Sequence, residues 1–134
     1  MNTPVWRPQG GGRQYNPDST VRRILHKYMK HAEDAGRVFD LTFEQVRTLL
    51  SGQCTYCGIA PSNSFNIRNG TRRQHYLTPA PEFLYSGIDR VDNSKGYTIS
   101  NCVSCCIQCN VAKRSMSLAE FAEMIVSIAA RHEI

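Results

Sequence analysis

The chain has 134 residues, a length that suits one compact domain with a modest hydrophobic core. It contains 16 lysines and arginines against 11 aspartates and glutamates, so its net charge is +5. This surplus favours an anionic partner such as nucleic acid, although charge alone fits a basic surface without one equally well. No apolar run approaches the ~20 residues of a membrane-spanning helix, and the N-terminus lacks the apolar core of a signal peptide. We therefore expect an intracellular protein with no membrane partner.

The N-terminal residues differ in composition from the remainder of the chain. Residues 1–19 are rich in glycine, proline, asparagine and glutamine, and they predict a flexible basic arm. Residues 20–134 contain no internal repeat and no sign of a second domain. We expect them to form a single domain.

Two helices are predicted in the first half of this domain. The first runs from about Thr20 to Ala35, where apolar residues recur at helical spacing, and Gly36 occupies the position of a C-terminal cap. The second runs from Phe43 to about Ser51, because Thr42 and Gln45 form a capping-box pair directly before it.

The middle of the chain predicts a long insertion followed by a β-hairpin. The segment Ile59–Glu82 mixes proline, asparagine, arginine and glycine, and it is interpreted as an irregular loop. Phe83–Val91 predicts a strand, Asp92–Gly96 a turn, and Tyr97–Ile99 a short returning strand.

Two further helices are predicted at the C-terminal end. One starts near Cys109, and the other follows the capping-box pair Ser117 and Glu120. Apolar residues of the last helix fall on one stripe, which we expect to lie in the core: Leu118, Phe121, Ile125, Ile128 and Ala129.

Six cysteines indicate a metal site. Thiols stay reduced inside cells, so six cysteines in an intracellular protein argue against a disulfide framework. Cys54 and Cys57 form one CxxC knuckle, and two such knuckles supply the four thiolates of a closed tetrahedral zinc site. An iron–sulfur cluster could use the same four ligands, but nothing else in the chain points to electron transfer.

The second knuckle is ambiguous, since Cys102 with Cys105 and Cys106 with Cys109 have the same spacing. A second knuckle usually ends at the first turn of a helix, and the helical pattern begins at Asn110. This favours Cys106 and Cys109 as ligands and leaves the other pair as small buried hydrophobic residues. Ligation by Cys102 and Cys105 remains open.

The stretch GIDRVDNSKGYTISNCVSCCIQCNVAK, together with CTYCG upstream, resembles the HNH endonucleases. These are zinc-bearing ββα-metal nucleases that are common in bacteriophages and mobile elements. The resemblance also includes SLAEF after the second knuckle, and it extends from about Thr20 to the end of the chain with gaps in 59–82. It implies an α+β domain: a small ββα-metal (HNH) fold with a structural four-cysteine zinc site and flanking helices.

The resemblance implies a role for individual residues. Asp89 would hold a catalytic Mg²⁺ or Mn²⁺ from a strand, and Asn110 would be the second ligand on the opposite helix. Mg²⁺ prefers oxygen ligands and keeps several waters, so one carboxylate and one amide suffice. Asn101 would brace the hairpin loop. The structural zinc would be held by Cys54, Cys57, Cys106 and Cys109.

The chain departs from the family at the general base, where a typical member has a histidine directly after the metal-binding carboxylate. Arg90 stands there instead, and a guanidinium cannot accept a proton. Arg90 could bind the scissile phosphate while solvent takes the proton, which we favour because both metal ligands remain and Asp-Arg recurs in the family. His75 could act as base, or the site could be weakened. His26, His31 and His132 lie on predicted helices far from the site in sequence.

Further basic residues near these positions are candidates for binding DNA phosphates. Lys113 follows Asn110 by about one helical turn and shares its face, and Arg114 comes next. Arg90 and Lys95, at the hairpin tip, are candidates of the same kind. Ordinary solvated side chains are the alternative for the lysines.

The sequence thus predicts a metal-dependent endonuclease or nickase that acts on double-stranded DNA. The alternative is a zinc-stabilised DNA-binding module with a degenerate nuclease site. The resemblance alone implies origin in a phage or mobile element, location in the host cytoplasm, and phage packaging or other DNA-processing proteins as partners.

Overall fold

The computed structural model describes residues 16–66 and 82–134. These residues form four helices and six strands, in the order α1 (Pro17–Asp34), β1 (Phe39–Asp40), α2 (Phe43–Ser51), β2 (Asn63–Asn66), β3 (Glu82–Tyr85), β4 (Gly87–Arg90), β5 (Tyr97–Thr98), β6 (Cys102–Cys105), α3 (Ile107–Lys113) and α4 (Leu118–His132). The mixture of helices and short sheets confirms the α+β class. Most of the predicted arm and residues 67–81 of the predicted insertion lie outside the described residues.

Helix α1 begins three residues earlier than predicted, so its first turn belongs to the segment that composition assigned to the arm. The Asn16 side chain caps this end, and Pro17 fits the first helical position because its missing N–H would be unpaired there. The other end follows the prediction. Gly36 adopts a positive φ of 66°, and the Arg37 N–H donates to the Ala32 carbonyl at 2.8 Å, as in a Schellman motif.

Helix α2 has the bounds that its capping box predicted. The Thr42 N–H donates to Gln45 Oε1 at 2.9 Å, and the Gln45 N–H donates to Thr42 Oγ1 at 3.2 Å. Residues on α1, α2 and β4 then share one hydrophobic core, whose most buried members include Val21, Ile24, Val46, Leu50 and Ile88. This core holds α1 and α2 against the strand that carries Asp89.

The predicted hairpin is wrong in its pairing. Ser86 divides the predicted strand in two, because its N–H donates to the Leu50 carbonyl and its hydroxyl donates to the Gly52 carbonyl at the end of α2. Strand β4 pairs antiparallel with β6, where Asp89 lies opposite Val103. Strand β5 instead pairs in parallel with β1. The segment Ile59–Glu82 is not wholly irregular either, since β2 and β3 pair at its two ends.

Helix α3 begins at Ile107, two residues before the predicted start, and Cys106 is its N-cap. The Cys109 N–H donates to Cys106 Sγ at 3.4 Å, so a cysteine takes the capping role that is usual for serine. The helix ends at Lys113. Arg114 has a positive φ of 50° and turns the chain toward α4.

The prediction that the apolar stripe of α4 lies in the core is wrong for most of its length. Leu118, Ile125 and Ile128 are each 48% exposed among the described residues, whereas Phe121 is only 6% exposed. Phe121 packs edge-on against Tyr56, with the ring centres 5.7 Å apart. No helix in the described part of the chain is long and apolar enough to cross a membrane.

Candidate active site

Four thiols converge between α2, β6 and α3. The Sγ atoms of Cys54, Cys57, Cys106 and Cys109 all lie within 4.8 Å of one another, and the Cys57 and Cys106 sulfurs are 3.7 Å apart. Four sulfurs at about 2.3 Å from a tetrahedral zinc are separated by about 3.8 Å. The donor set and its spacing therefore fit a structural zinc.

Short-range backbone geometry builds the first half of this cluster. The Gly58 N–H donates to the Cys54 carbonyl, and the Cys54 N–H donates to the Ile59 carbonyl, both at 2.9 Å. Gly58 adopts a positive φ of 79°, which a residue without Cβ takes at little cost. The Thr55 N–H donates to the Ser104 carbonyl and joins the knuckle to β6.

Position separates Cys102 and Cys105 from the four converging thiols, since neither belongs to that cluster. Burial opposes ionisation of Cys54, but N–H groups of Cys106, Cys57 and neighbouring backbone outweigh it and lower its pKa to about 6. Burial raises the pKa of Cys102 to about 11 and raises that of Cys105 as well. These last two lie buried on β6 and stay protonated near neutral pH, as small hydrophobic residues do.

Asn101 holds the loop between β4 and β6. Its Oδ1 accepts from the Asp92 N–H at 2.9 Å, and its Nδ2 donates to the carbonyls of Asp92 and Gly96 at 3.0 Å. The Asn101 side chain is buried, and its three hydrogen bonds are partly buried. This is the bracing arrangement that the family resemblance implies for Asn101.

We expect Asn101→Ala to lower the free energy of unfolding by about 2–4 kcal/mol, because three partly buried hydrogen bonds are lost at roughly 1 kcal/mol each. Urea unfolding of the zinc-loaded protein measures the change. Ser100→Ala is the matched control, since Ser100 is exposed beside it. Equal stability of the two variants would contradict the bracing role.

Asp89 is buried on β4 and has two neighbours at one carboxylate oxygen. The Tyr56 hydroxyl donates to Oδ2 at 2.5 Å, and Lys113 Nζ lies 3.3 Å from the same atom. The Lys113 contact is close enough for an ion pair, but it is not aligned as a hydrogen bond. Burial, and then the Asp89 carboxylate, raise the pKa of Tyr56, so its phenol remains a donor.

Lys113 does not lie where the sequence analysis placed it. The prediction of a phosphate-binding lysine needs an exposed ammonium, but Lys113 is 0% exposed and pairs with Asp89. Lys113 lies on the buried side of α3, where its long apolar stem lets the ammonium reach the Asp89 carboxylate. Lys113 is therefore a partner of Asp89 and not a candidate for binding DNA phosphates.

A cleft of about 290 Å³ opens beside Asp89 and is rich in basic groups. Asp89 and Asn110 both line it, so the two predicted ligands of a catalytic metal border one space. Asn110 is exposed on α3. The basic residues around the cleft come from three parts of the chain and are Lys27, His31, Arg90 and Arg114.

Arg90 lines the cleft but is also tied to the loop that follows it. Its Nη1 donates to the Asn93 carbonyl at 2.9 Å and to the Lys95 carbonyl at 2.8 Å, and its guanidinium lies 5.4 Å from the centre of the Tyr97 ring. Lys95 itself is exposed, 3.9 Å from Asp92, and does not border the cleft. His75 lies outside the described residues.

Sequence reasoning missed the contribution of α1 to the cleft. Ile24, Lys27, Tyr28 and His31 lie at the spacing of one helical face and all line it. That periodicity was visible in the sequence, but no local signal indicates that this face packs on β4. The contact is made by the Ile88 N–H, which donates to the Tyr28 hydroxyl at 3.0 Å.

Antiparallel strands β4 and β6 are followed by helix α3, and a cluster of four cysteines joins this helix to the knuckle after α2. With the basic cleft beside them, these elements form the ββα-metal fold of the HNH type. The rare-cutting HNH restriction endonuclease PacI has a solved structure with this fold. It matches 89% of this chain over 89% of its own, with a TM-score of 0.57 and 20% sequence identity. The likeness confirms the predicted HNH-type fold.

Sequence comparison finds a relative in a virus. The chain is 30% identical over 116 residues to uncharacterized protein R423 of Acanthamoeba polyphaga mimivirus, a match that covers 87% of this chain. The chain spans only 18% of the length of that protein. No protein-family model matches the chain.

Proposed function

We propose that the protein is a metal-dependent endonuclease or nickase that hydrolyses phosphodiester bonds in double-stranded DNA. The observation that supports this most strongly is that Asp89 and Asn110 border the same basic cleft beside the four-thiol cluster. Similarity in fold to an HNH restriction endonuclease agrees with this assignment. The zinc would be structural, because four thiolates leave no open position for water.

The oxygen donors of the cleft fit a catalytic Mg²⁺ or Mn²⁺. Tyr56 and Lys113 both contact Asp89 Oδ2. No described residue makes a hydrogen bond to Oδ1, so this oxygen is free to bind a metal. Asn110 offers an amide oxygen from the facing helix. Hard cations prefer such ligands and complete their coordination with water and phosphate oxygens. The bound ion would stabilise charge on the phosphate and on the leaving oxygen.

The charges of the cleft suit a phosphate backbone. Lys27, Arg90 and Arg114 converge on it from α1, β4 and the end of α3. Since Arg90 uses Nη1 for the loop carbonyls, the remaining edge of its guanidinium would meet the scissile phosphate. Lys113 would instead hold the Asp89 carboxylate in place, because its ammonium is buried beside it.

A DNA-binding module with a degenerate site is the second candidate. The observation that favours it is the ion pair between Lys113 and Asp89, since a resident ammonium 3.3 Å away competes with a divalent cation for the carboxylate. Such a protein would bind DNA most tightly at low salt and leave it intact.

Nicking of supercoiled plasmid in Mg²⁺ or Mn²⁺ separates the two candidates. We expect Asp89→Asn and Asn110→Ala to slow nicking at least about 100-fold, because a bound metal contributes several kcal/mol to transition-state stabilisation. Gln108→Ala is the matched control for the helix, since Gln108 is exposed on α3 and does not line the cleft. Unchanged nicking in both site variants, or binding of plasmid by the wild type without nicking, would overturn the nuclease assignment.

A further inference from the structure

The proposed hydrolysis needs a group that accepts a proton from water, and Arg90, directly after Asp89, cannot be that group. Arg90 remains protonated, and Asp89 is assigned to the metal. The phenols along the cleft are poor bases near neutral pH, and burial raises the pKa of Tyr28 to about 12. Among the described side chains that line the cleft, His31 is the histidine.

Helix α1 brings His31 to this position through contacts on its neighbouring turn. The Tyr28 hydroxyl accepts from the Ile88 N–H at 3.0 Å, one residue before Asp89. A Cβ at Gly87 would lie 3.2 Å from this hydroxyl, so the absence of a side chain there lets the helix approach the strand. His31 lies three residues after Tyr28, on the same helical face and over the same cleft.

The exposure of His31 suits proton transfer to and from water. The ionisable groups that face the cleft with it come from every adjoining element. They are Lys27 and Tyr28 on α1, Tyr85 on β3, Asp89 and Arg90 on β4, Tyr97 on β5, and Arg114 after α3.

We propose that His31 is the general base of the hydrolysis, an assignment that rests on the proposed function. The unprotonated ring nitrogen takes a proton from water as the water oxygen forms its bond to phosphorus. The bond from phosphorus to the 3′ oxygen breaks, and that oxygen keeps the electron pair and takes a proton from solvent. The products are a 5′-phosphate and a 3′-hydroxyl, and the imidazolium returns its proton to solvent.

His31→Gln tests this assignment in the nicking assay. We expect a loss of about 100-fold or more near neutral pH, with DNA binding retained, because general bases contribute roughly 10²–10⁴-fold. His26→Gln is the matched control, since His26 lies on the same helix, is exposed, and lines a different depression. It should nick at the wild-type rate.

The pH dependence separates a base from a phosphate-binding cation. The deficit of His31→Gln should shrink as pH rises, because hydroxide then replaces the missing base. In His31→Ala, added imidazole should restore part of the nicking by occupying the space of the lost ring. A deficit that is constant with pH, accompanied by weaker DNA binding and no rescue, would overturn the proposal.

Asp89→Asn in the same assay distinguishes failure of this inference from failure of the proposed function. Nicking that requires Asp89 but is unaffected by His31→Gln would overturn the base assignment alone. Absence of nicking by the wild-type protein in either metal would overturn both.

Discussion

Replacing Cys109 with serine is expected to release zinc and unfold the domain. A serine hydroxyl is not ionised near neutral pH, so three thiolates would remain of the four that converge within 4.8 Å. Zinc binding contributes an apparent ~10–16 kcal/mol in small zinc domains, whereas whole domains are stable by only about 5–15 kcal/mol. Loss of one ligand therefore removes a large part of the stability.

Metal content per chain and far-ultraviolet circular dichroism measure this prediction. Cys102→Ser is the matched control, because Cys102 is buried on β6 but is not one of the four converging thiols. We expect the control to keep one zinc per chain and its helical signal. Retention of zinc by Cys109→Ser, or its loss from Cys102→Ser, would show that the ligand set is different.

Replacing Lys113 with methionine is expected to cost about 3–5 kcal/mol of stability. The two members of the pair are 0% and 4% exposed. Removing the ammonium would leave a buried carboxylate with the Tyr56 hydroxyl as its remaining partner, and uncompensated buried charges are strongly destabilising. Methionine retains most of the volume of the stem, so the change in packing is small.

Urea unfolding in the presence of zinc measures the effect. Lys95→Met is the matched control, since Lys95 makes a 3.9 Å ion pair with Asp92 in which the two side chains are 72% and 47% exposed. Exposed pairs of this kind contribute little, so we expect almost no change. Similar effects of the two substitutions would mean that burial of the Lys113 pair does not determine its contribution.

Elements with local signals could be predicted from the sequence. The capping boxes at Thr42 and at Ser117 each place a helix start, because the bonds that define them join residues three apart. Gly36 likewise marks the end of α1, since a positive φ is required there. The two CxxC knuckles predicted a metal cluster, because the cysteines of each pair are also three residues apart.

Pairing between distant segments could not be predicted in this way. The sequence contains a turn before Tyr97–Thr98, which indicated a return strand, but β6 pairs with β4 instead. Three of the four residues of β6 are buried, whereas those of β5 are only half-buried. The sequence favoured Cys102 and Cys105 as small buried hydrophobic residues, but no local signal indicated that their strand pairs with β4.

Amphipathic patterns show which face of a helix is apolar, but not what the face contacts. The stripe of α4 is apolar by spacing, yet Ile125 and Ile128 remain about half exposed in the described part of the chain. In contrast, Lys113 is charged and yet fully buried, because its ammonium pairs with the buried Asp89 carboxylate. The sequence does not indicate this pair, since Asp89 lies 24 residues earlier on β4. His31 was missed for the same reason, since it reaches the cleft only through packing of α1 on β4.

In the proposed site, Asp89 and Asn110 share one divalent cation in the cleft. The most direct test is a crystal soaked in Mn²⁺, with anomalous diffraction measured between the manganese and zinc K edges, where manganese scatters anomalously more strongly than zinc. We expect a manganese peak bonded to an Asp89 oxygen and to the Asn110 amide oxygen. A crystal soaked to saturation in Mn²⁺ that shows no peak between these two side chains would contradict the shared metal site.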